Sequence, residues 1–299
     1  MAVEPVVYGS SHRPPRGDYA RAGADYTCPQ NWARYTEADH ATYRRLYARQ
    51  SALLPGLASE AFIAALPSLG AQDRIPRFED INTRLKKTTG WEIVGVPGLI
   101  PEVPFFTLLA NRKFPVTDWI RTPEEFDYIV EPDIFHDLFG HVPLLFNPVF
   151  ADYVQRYGQG GLRAAELGAC EMLSRLYWYT IEFGLVREAG GLRAYGAGIL
   201  SSAGELHYAV HSPVPQRLPL QLERTMRTRY RIDSYQGSYF VIDSFQQLFD
   251  LTAADFAPLY ERLRGLPEFA PGAPQAPQTL QTPHAPDTSR SPDAPNAPG

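Results

Sequence analysis

A single acidic residue inside an apolar run constrains this chain more than any other feature. Glu182 lies in the stretch Tyr-Trp-Tyr-Thr-Ile-Glu-Phe-Gly-Leu-Val at residues 177–186. An ionised carboxylate buried among such side chains loses its hydration, so a cation or a hydrogen-bond donor has to compensate it. The fold must therefore bring a positive group to Glu182 or leave it facing a solvent groove. Arg175 and Arg187 are close in sequence, so an ordinary ion pair remains an alternative.

Two histidines supply groups that suit such a carboxylate. His136 and His141 lie in the stretch Glu-Pro-Asp-Ile-Phe-His-Asp-Leu-Phe-Gly-His-Val-Pro at residues 131–143. Two neutral imidazoles and one carboxylate form the facial triad, which holds a divalent ion on one side and leaves the opposite positions open. The sequence therefore predicts a metal site of His136, His141 and Glu182. Two core histidines bonded to backbone carbonyls remain the alternative.

The spacing of the two histidines restricts the local backbone. On an ideal α-helix, residues five apart differ by about 140° around the axis, so the two rings would point apart. We expect a helix that begins at Pro132 and ends at Gly140, with Pro143 holding Val142 extended. His141 would then lie where the chain turns, and a bend at that point could aim both rings at one place.

The composition favours a protein that handles a small molecule. The 299 residues are 44% hydrophobic, which is ample for a sizeable core, and carry a net charge of -5. Basic residues are scattered, so nothing indicates binding to nucleic acid or to an anionic membrane. Cys28 and Cys170 are the two cysteines, which fits free thiols in a reducing compartment. The amino terminus lacks a signal-peptide pattern and no apolar run approaches about 18 residues, so we expect a cytoplasmic location.

Helical periodicity dominates the central part of the chain. Short strand-like stretches occur at residues 91–96, 199–202 and 239–242. No repeat or composition break divides residues 27–268, so we predict one mainly α (α+β) domain with a small β-sheet. The helical pattern covers residues 39–65, 78–89, 122–129, 132–140, 148–158, 163–188, 218–228 and 246–264.

The two ends of the chain differ from this central domain. Residues 1–26 are rich in glycine, serine and proline without hydrophobic periodicity, and we expect a flexible lead-in. Residues 269–299 carry repeated prolines among alanine, threonine and aspartate, which predicts a disordered tail. Docking of this tail on a proline-binding module is the less favoured alternative.

Several stretches together resemble the pterin-dependent aromatic amino acid hydroxylases. Residues 132–144 resemble the family's iron-binding signature, Asp-Ile-Phe-His-Asp-Leu-Phe-Gly-His included, and residues 177–185 resemble the segment that carries its glutamate ligand. Residues 96–101, Val-Pro-Gly-Leu-Ile-Pro, match the pterin loop. Residues 194–202 and 239–245 also match, and the similarity runs from about residue 27 to residue 268. The resemblance implies the family's fold, a single helical catalytic domain with a small sheet.

The resemblance also implies residue roles. His136, His141 and Glu182 would bind Fe(II). The pterin ring would lie against Gly98, Leu99, Ile100, Phe105, Asp137 and Tyr177, with Phe105 as the stacking partner. The amino acid substrate would contact Arg121, Pro132, Trp178, Phe183, Ser201 and Glu205, with Arg121 binding its carboxylate.

Each of these roles has a plainer alternative in the local sequence. Arg121 could form a surface ion pair with Glu124 or Glu125. Phe105 and Trp178 could be ordinary packing residues, and Asp137 could be a surface residue of its helix.

Within the family, the chain most resembles the short bacterial members that hydroxylate phenylalanine. These imply a monomer that converts L-phenylalanine to L-tyrosine with O2, Fe(II) and a tetrahydropterin through a ferryl oxidant. Hydroxylation of tryptophan or tyrosine is the main alternative, since small differences in a pocket shift preference by only about 1 to 3 kcal/mol. A zinc hydrolase with the same ligand types, or a binding protein without turnover, are the alternatives from other classes.

Overall fold

The computed structural model of the protein describes residues 16–129 and 131–274. Along the chain as far as residue 145, the elements are α1 (Glu37–Leu53), α2 (Glu60–Ala65), α3 (Phe78–Thr88), β1 (Glu92–Val96), α4 (Glu102–Ala110), β2 (Lys113–Thr117) and α5 (Val142–Leu145). They are followed by α6 (Pro148–Glu166), α7 (Cys170–Tyr177), β3 (Gly184–Glu188), β4 (Gly191–Ala194), α8 (Ala197–Leu200), α9 (Ala203–His211), β5 (Gln216–Pro219), α10 (Leu222–Met226), β6 (Ser238–Ile242), α11 (Phe245–Leu251) and α12 (Ala257–Leu263). The mainly helical prediction with a small amount of sheet is confirmed.

Two small sheets flank the centre of the molecule. β1 and β2 form a parallel pair in which Glu92 lies opposite Lys113. The other sheet has the order β4-β3-β6-β5, with β3 and β4 antiparallel and the remaining pairs parallel. All five residues of β6 are buried, as expected for a central strand that is covered on both faces.

The helices pack closely around these sheets. α4 lies along α6, and two glycines of α6 make room for it. A Cβ at Gly158 would come within 2.6 Å of the Leu109 side chain, and one at Gly161 within 2.2 Å of Phe106. Any larger residue at either position would push α4 away from α6, so these glycines fix the position of α4.

Several predicted boundaries are wrong because turn residues interrupt the helical pattern. Residues 39–65 form two helices, since the chain turns after Leu54 with Gly56 in the left-handed region (φ +75°). Residues 163–188 are interrupted at Gly168 (φ +62°) and end in the strand β3. Residues 218–228 and 246–264 are likewise divided, the first between β5 and α10 and the second between α11 and α12.

Two predicted elements have another conformation. Residues 122–129 contain only the short 3-10 turn Pro123–Glu125, which begins with a capping box of Thr122 and Glu125. Residues 199–202, predicted as strand, belong to the end of α8 and the turn after it. α8 packs tightly on the histidine segment, where a Cβ on Gly140 would lie 2.8 Å from the Ala197 side chain. This contact between segments leaves no signal in the local pattern.

The described parts of the two predicted flexible ends are packed on the domain. Tyr19 is buried, and its hydroxyl donates a hydrogen bond to the Leu99 carbonyl at 2.8 Å. Near the other end, the Arg224 guanidinium lies 3.5 Å from the centre of the Phe269 ring. The rest of the predicted lead-in and tail, residues 1–15 and 275–299, lies outside the described residues. No described helix is long and apolar enough to cross a membrane.

Candidate active site

The two histidines lie on a π-helical segment, His136–His141. The expected helix from Pro132 to Gly140 is therefore wrong, because Pro132 precedes the helical turn and Val142 continues it (φ -63°, ψ -36°) instead of being extended. A π-helix bonds residue i to residue i+5, so residues five apart lie on one face. Pro143 has no backbone N–H to offer to that ladder, which suits the change to an α-helical turn at α5. This geometry removes the conflict that the spacing of His136 and His141 presents on an α-helix.

A second π-helical segment, Trp178–Glu182, carries the carboxylate. It continues α7 without a break and ends at Glu182, two residues before β3 begins. The arginines considered as partners for Glu182 are engaged elsewhere. Arg175 pairs with Glu171 and Glu268, and Arg187 lies 3.9 Å from Asp243. Glu182 therefore meets histidines and not arginine.

Three ligand atoms converge at one point. His136 Nε2 and His141 Nε2 are 3.3 Å apart. The carboxylate oxygens of Glu182 lie 3.6 Å from His136 Nε2 and 3.1 Å from His141 Nε2. All three ligand atoms lie within 4.8 Å of one another, which is close enough for one ion to bind them together.

The protonation states of this cluster suit a divalent cation. Burial lowers the pKa of His136 to about 4, so its ring is neutral near pH 7. Burial alone would raise the pKa of the Glu182 carboxyl, but the neighbouring His141 and His136 outweigh it and the pKa lies below its usual range. Glu182 in turn raises the pKa of His141 against the effect of burial. A bound cation would take the place of the proton that Glu182 draws to His141.

The donor set fits a divalent transition metal. Imidazole nitrogen and carboxylate oxygen both suit iron and zinc, and a set of three leaves coordination positions free. The other ring nitrogen of His136, Nδ1, lies 2.9 Å from Ser201 Oγ, which in turn donates to the Ala197 carbonyl. Such outer partners fix the ring orientation of metal-binding histidines. The residues present therefore fit a metal with open positions.

The cluster lies in a cavity of about 590 Å³ that residues of β1 and β2 help to line. Every candidate site residue from the sequence analysis lines this cavity. They are Gly98, Leu99, Ile100, Phe105, Arg121, Pro132, His136, Asp137, His141, Tyr177, Trp178, Glu182, Phe183, Ser201 and Glu205.

One wall of the cavity is formed by residues on and next to β1 and β2. The segment after β1 carries Gly98, Leu99 and Ile100, and Phe105 follows on α4. The Phe105 ring meets Tyr177 edge to face at 5.4 Å. Asp137 is buried and not a surface residue, and its carboxylate accepts a hydrogen bond from Thr117 N at 2.7 Å. Burial raises the pKa of Asp137 to about 7, against the opposing effect of His141.

Arg121 is a buried residue, and its alternative as a surface ion pair is wrong. Its Nε and Nη2 donate to the two carboxylate oxygens of Asp133 at 2.8 and 2.9 Å. Asp133 also accepts hydrogen bonds from Arg121 N and His136 N, both at 3.0 Å. Glu125, one of the proposed surface partners, pairs with Arg16 instead. One fully buried carboxylate therefore orients both the cavity arginine and the first histidine.

Asp133 lies in the histidine motif, but its role was not predicted from the sequence. A carboxylate one residue after a proline and three before a histidine is a weak signal for this arrangement. The distant arginine that completes it could not be read from spacing.

An aromatic slot forms the opposite wall of the cavity; we use this name for Trp178, Phe183 and Tyr230. Tyr230 stacks on Trp178 with ring centres 4.2 Å apart and an angle of 13°, and Phe183 lies 4.7 Å from the same indole. The Glu205 carboxylate accepts hydrogen bonds from the Tyr239 hydroxyl and from Gln236 N. Tyr230 and Gln236 are cavity residues that the sequence analysis missed, because neither belongs to a recognisable motif.

Comparison with known proteins agrees with this geometry. The profile of the biopterin-dependent aromatic amino acid hydroxylases matches residues 5–261. A phenylalanine-4-hydroxylase of Ralstonia nicotianae is 59% identical over 249 residues, which are 83% of this chain and 80% of that protein. One from Chromobacterium violaceum is 58% identical over 240 residues, 80% of this chain and 81% of that protein.

A solved structure gives the same result in three dimensions. The crystal structure of the Chromobacterium violaceum phenylalanine hydroxylase with bound Fe(III) superposes with a TM-score of 0.84 at 56% identity, covering 86% of this chain and 94% of that one. The family profile spans most of the chain and the identities are far above those of distant relatives. The chain therefore belongs to the biopterin-dependent aromatic amino acid hydroxylase family.

Proposed function

We propose that this protein converts L-phenylalanine to L-tyrosine, using O2, Fe(II) and a tetrahydropterin. The observation that carries the proposal is the convergence of two imidazole nitrogens and one carboxylate within 4.8 Å of one another. They converge in the cavity of a chain that belongs to this hydroxylase family and shares 59% identity with a phenylalanine-4-hydroxylase. Membership of this family separates the chain from zinc hydrolases that use the same ligand types.

His136, His141 and Glu182 would hold the iron. Iron and tetrahydropterin, when bound, supply the electrons that dioxygen needs before it can attack an aromatic ring. The protein keeps the ligands in the state that binding requires, since His136 is neutral and the Glu182 carboxyl has a lowered pKa. Ser201 and Asp133 hold the ring and the backbone of His136 in place.

The wall that follows β1 would bind the pterin. A flat heterocycle needs an aromatic face and backbone groups at its edge. Phe105 would provide the face, and Gly98, Leu99 and Ile100 the backbone groups. A side chain on Gly98 would meet Glu131 and Tyr19 at 2.8 and 3.0 Å, so the loop is close-packed from behind. Asp137 and Tyr177 complete this wall.

The opposite wall would bind the amino acid. Arg121 uses Nε and Nη2 to hold Asp133, which leaves Nη1 to bind a carboxylate. Ser201 and Glu205 would support the α-amino end, where burial raises the pKa of the Glu205 carboxyl. Pro132, Trp178, Phe183 and the His136 ring would enclose the side chain of the substrate.

The apolar walls also have a chemical role. They exclude water from the reacting ring and the iron, which limits side reactions of a strong oxidant. Of the large hydrophobic side chains exposed among the described residues, Tyr128, Ile232 and Tyr235 line the cavity. Binding of an aromatic substrate would cover part of this exposed surface.

We further propose that residues 27–268 are the catalytic domain of a cytoplasmic monomer. The buried core runs continuously from Tyr43 to Leu263, which supports a single folding unit. Cys28 and Cys170 are free thiols, which fits a reducing compartment. Sedimentation of the purified chain at micromolar concentration would test the monomer, and a stable dimer would contradict it.

The proposed reaction is tested by reconstitution with iron under anaerobic conditions, followed by addition of oxygen, tetrahydropterin and one amino acid at a time. Tyrosine formation and oxygen uptake should be fastest with phenylalanine, slower with tryptophan, and absent without pterin. The same protein loaded with zinc is the control and should consume no oxygen. Absence of tyrosine from iron-loaded protein with all three components present would refute the proposal.

A further inference from the structure

The segment between α10 and β6 covers the aromatic slot. We call residues 230–236 the slot loop. Tyr230 begins it and stacks on Trp178, while Ile232 and Tyr235 in its middle are exposed and line the cavity. The loop ends at Gln236, which is 2% exposed and is followed two residues later by the buried strand β6.

The side-chain amide of Gln236 joins the slot loop to Trp178. Its carbonyl oxygen, Oε1, accepts a hydrogen bond from the indole Nε1 of Trp178 at 3.0 Å. Its Nε2 donates to the backbone carbonyls of Arg231 at 2.8 Å and Ser234 at 3.3 Å. A single amide therefore holds the loop in its fold through Nε2 and restricts the rotation of the indole through Oε1.

Gln236 is itself held firmly from the core. Its backbone N donates to the Glu205 carboxylate at 3.1 Å, and the Tyr239 hydroxyl donates to the same oxygen. Glu205 and Tyr239 are both buried. Because the backbone of Gln236 is anchored in this way, its side chain has a fixed starting point from which to position Trp178.

We infer that Gln236 is a positioning residue that sets the width of the aromatic slot and thereby the preference among aromatic amino acids. The inference rests on the proposed function and adds a determinant of its specificity. The Trp178 indole is sandwiched between Tyr230 and Phe183, so its remaining freedom is rotation within that stack. The bond to Gln236 removes this freedom, since the indole N–H would otherwise lack its partner.

Replacement of Gln236 should change the preference among aromatic amino acids more than the rate of turnover. Neighbouring aromatic substrates differ by a few atoms, and a fixed wall rejects the larger one through contacts of modest energy. Without Gln236, the indole could rotate within its stack and the slot could accept the bicyclic side chain of tryptophan. Gln236 touches none of the three metal-ligand side chains in the described structure, so binding of iron should not change.

The first test compares Gln236→Leu with the matched control Gln30→Leu. Gln30 also uses both ends of its amide, in its case with two backbone groups, since Nε2 donates to Pro76 O and Oε1 accepts from Phe78 N. Gln30 does not line the cavity. The ratio of kcat/KM for phenylalanine to that for tryptophan should fall about tenfold in Gln236→Leu. It should stay within twofold in Gln30→Leu. An unchanged ratio in Gln236→Leu would overturn the inference.

A double-mutant cycle with Trp178→Phe decides whether Gln236 acts through the indole. Phenylalanine at position 178 cannot donate to Gln236, so Gln236→Leu should change the ratio by less than twofold in that background. Equal effects in both backgrounds would show general loosening of the cavity and would overturn the inference. Should Gln236→Leu lack a cooperative unfolding transition, Gln236→Asn replaces it under the same criteria, because the shorter amide cannot reach both partners.

A readout independent of turnover accompanies the kinetics. Hydrogen exchange of the isolated protein should speed up in the peptide that contains residues 230–236 when Gln236 is replaced, and not when Gln30 is replaced. Unchanged exchange in that peptide would contradict the proposed anchoring of the loop. Failure of the wild-type protein to make tyrosine would refute the proposed function, whereas wild-type turnover with an unaltered ratio in the variant would refute only the role of Gln236.

Discussion

The metal cluster and the aromatic slot lie at opposite ends of one short segment but are held in different ways. Glu182 ends the π-helical segment that Trp178 begins, and the proposed metal ligands His136 and His141 lie on a second such segment. Backbone geometry therefore sets the ligand positions. Trp178 is instead fixed by an amide from a loop and by stacked rings. The cluster should tolerate almost no change, whereas the slot can be tuned by single side chains.

The largest expected effect comes from breaking the cluster itself. Glu182→Gln keeps the size of the side chain but removes the charge that a divalent cation needs. Loss of a residue that only supports a metal ligand lowers activity by up to about 100-fold. Loss of the ligand itself should therefore lower tyrosine formation by about 100-fold or more. Iron content, measured by mass spectrometry after reconstitution, should fall in parallel.

Glu166→Gln is the control for this change, since Glu166 forms an exposed pair with Arg163. Wild-type iron content and turnover in Glu182→Gln would show that the carboxylate is not a ligand.

A smaller effect is expected at Asp133, which holds both Arg121 and His136. Asp133 is fully buried, and Asp133→Asn would leave the Arg121 guanidinium without its charged partner. Breaking a buried pair in this way costs about 3 to 5 kcal/mol of unfolding free energy. Denaturation in urea should show this loss, and the KM for phenylalanine should rise because Arg121 is no longer oriented. Asp152→Asn, at a half-exposed pair with Arg112, is the control.

The loss of stability in Asp133→Asn should depend on pH. Burial would raise the pKa of the Asp133 carboxyl, but Arg121 and the hydrogen bonds to it outweigh burial and lower the pKa. A group whose pKa is lowered by folding stabilises the protein above its unfolded pKa of about 3.9, and this contribution is lost as the pH falls through the folded value. The stability difference between wild type and Asp133→Asn should therefore be largest near neutral pH and shrink in acid. A difference that grows in acid would contradict the pairing.

Arg121→Lys should weaken binding of the amino acid without weakening binding of the pterin. Lysine keeps the charge but cannot hold Asp133 with two donors and still present a third to a carboxylate. Loss of a charge-assisted hydrogen bond of about 1.5 to 3 kcal/mol should raise the KM for phenylalanine by roughly 10- to 100-fold. Steady-state kinetics should show the KM for tetrahydropterin unchanged. A rise of the pterin KM instead would place Arg121 on the other wall.

The clustering of His136, His141 and Glu182 could be predicted from the sequence for a physical reason. A buried carboxylate such as Glu182 needs a compensating partner in any fold. The motif around His136 and His141 indicated that partner, and it also carried the resemblance to a family. The plainer interpretations of Arg121 and Asp137 failed because burial depends on distant contacts, and Asp133 and Thr117 lie on other segments.

The π-helical backbone could not be predicted in the same way. A single π-helical turn inside a helix leaves no regular pattern of apolar residues, so the spacing of His136 and His141 pointed to a bend. Gln236 was missed for a related reason. Its amide binds two backbone carbonyls and one indole, and backbone partners carry no sequence signature.

The smallest effect is expected at the cavity wall formed by the residues after β1. This wall is a third region that can be compared with the metal cluster and the aromatic slot. Tyr19→Phe removes only the hydroxyl that donates to the Leu99 carbonyl at 2.8 Å. A neutral hydrogen bond contributes about 0.5 to 1.5 kcal/mol, so the KM for tetrahydropterin should rise by roughly two- to tenfold while the KM for phenylalanine stays constant. Tyr35→Phe is the matched control, because its hydroxyl donates to the Asp118 carbonyl at 2.7 Å outside the cavity. Equal rises of the KM for tetrahydropterin in both variants would mean that the hydroxyl of Tyr19 stabilises the fold in general. The loop at Leu99 would then be held by backbone geometry, as the metal cluster is, and not by single side chains, as the slot is.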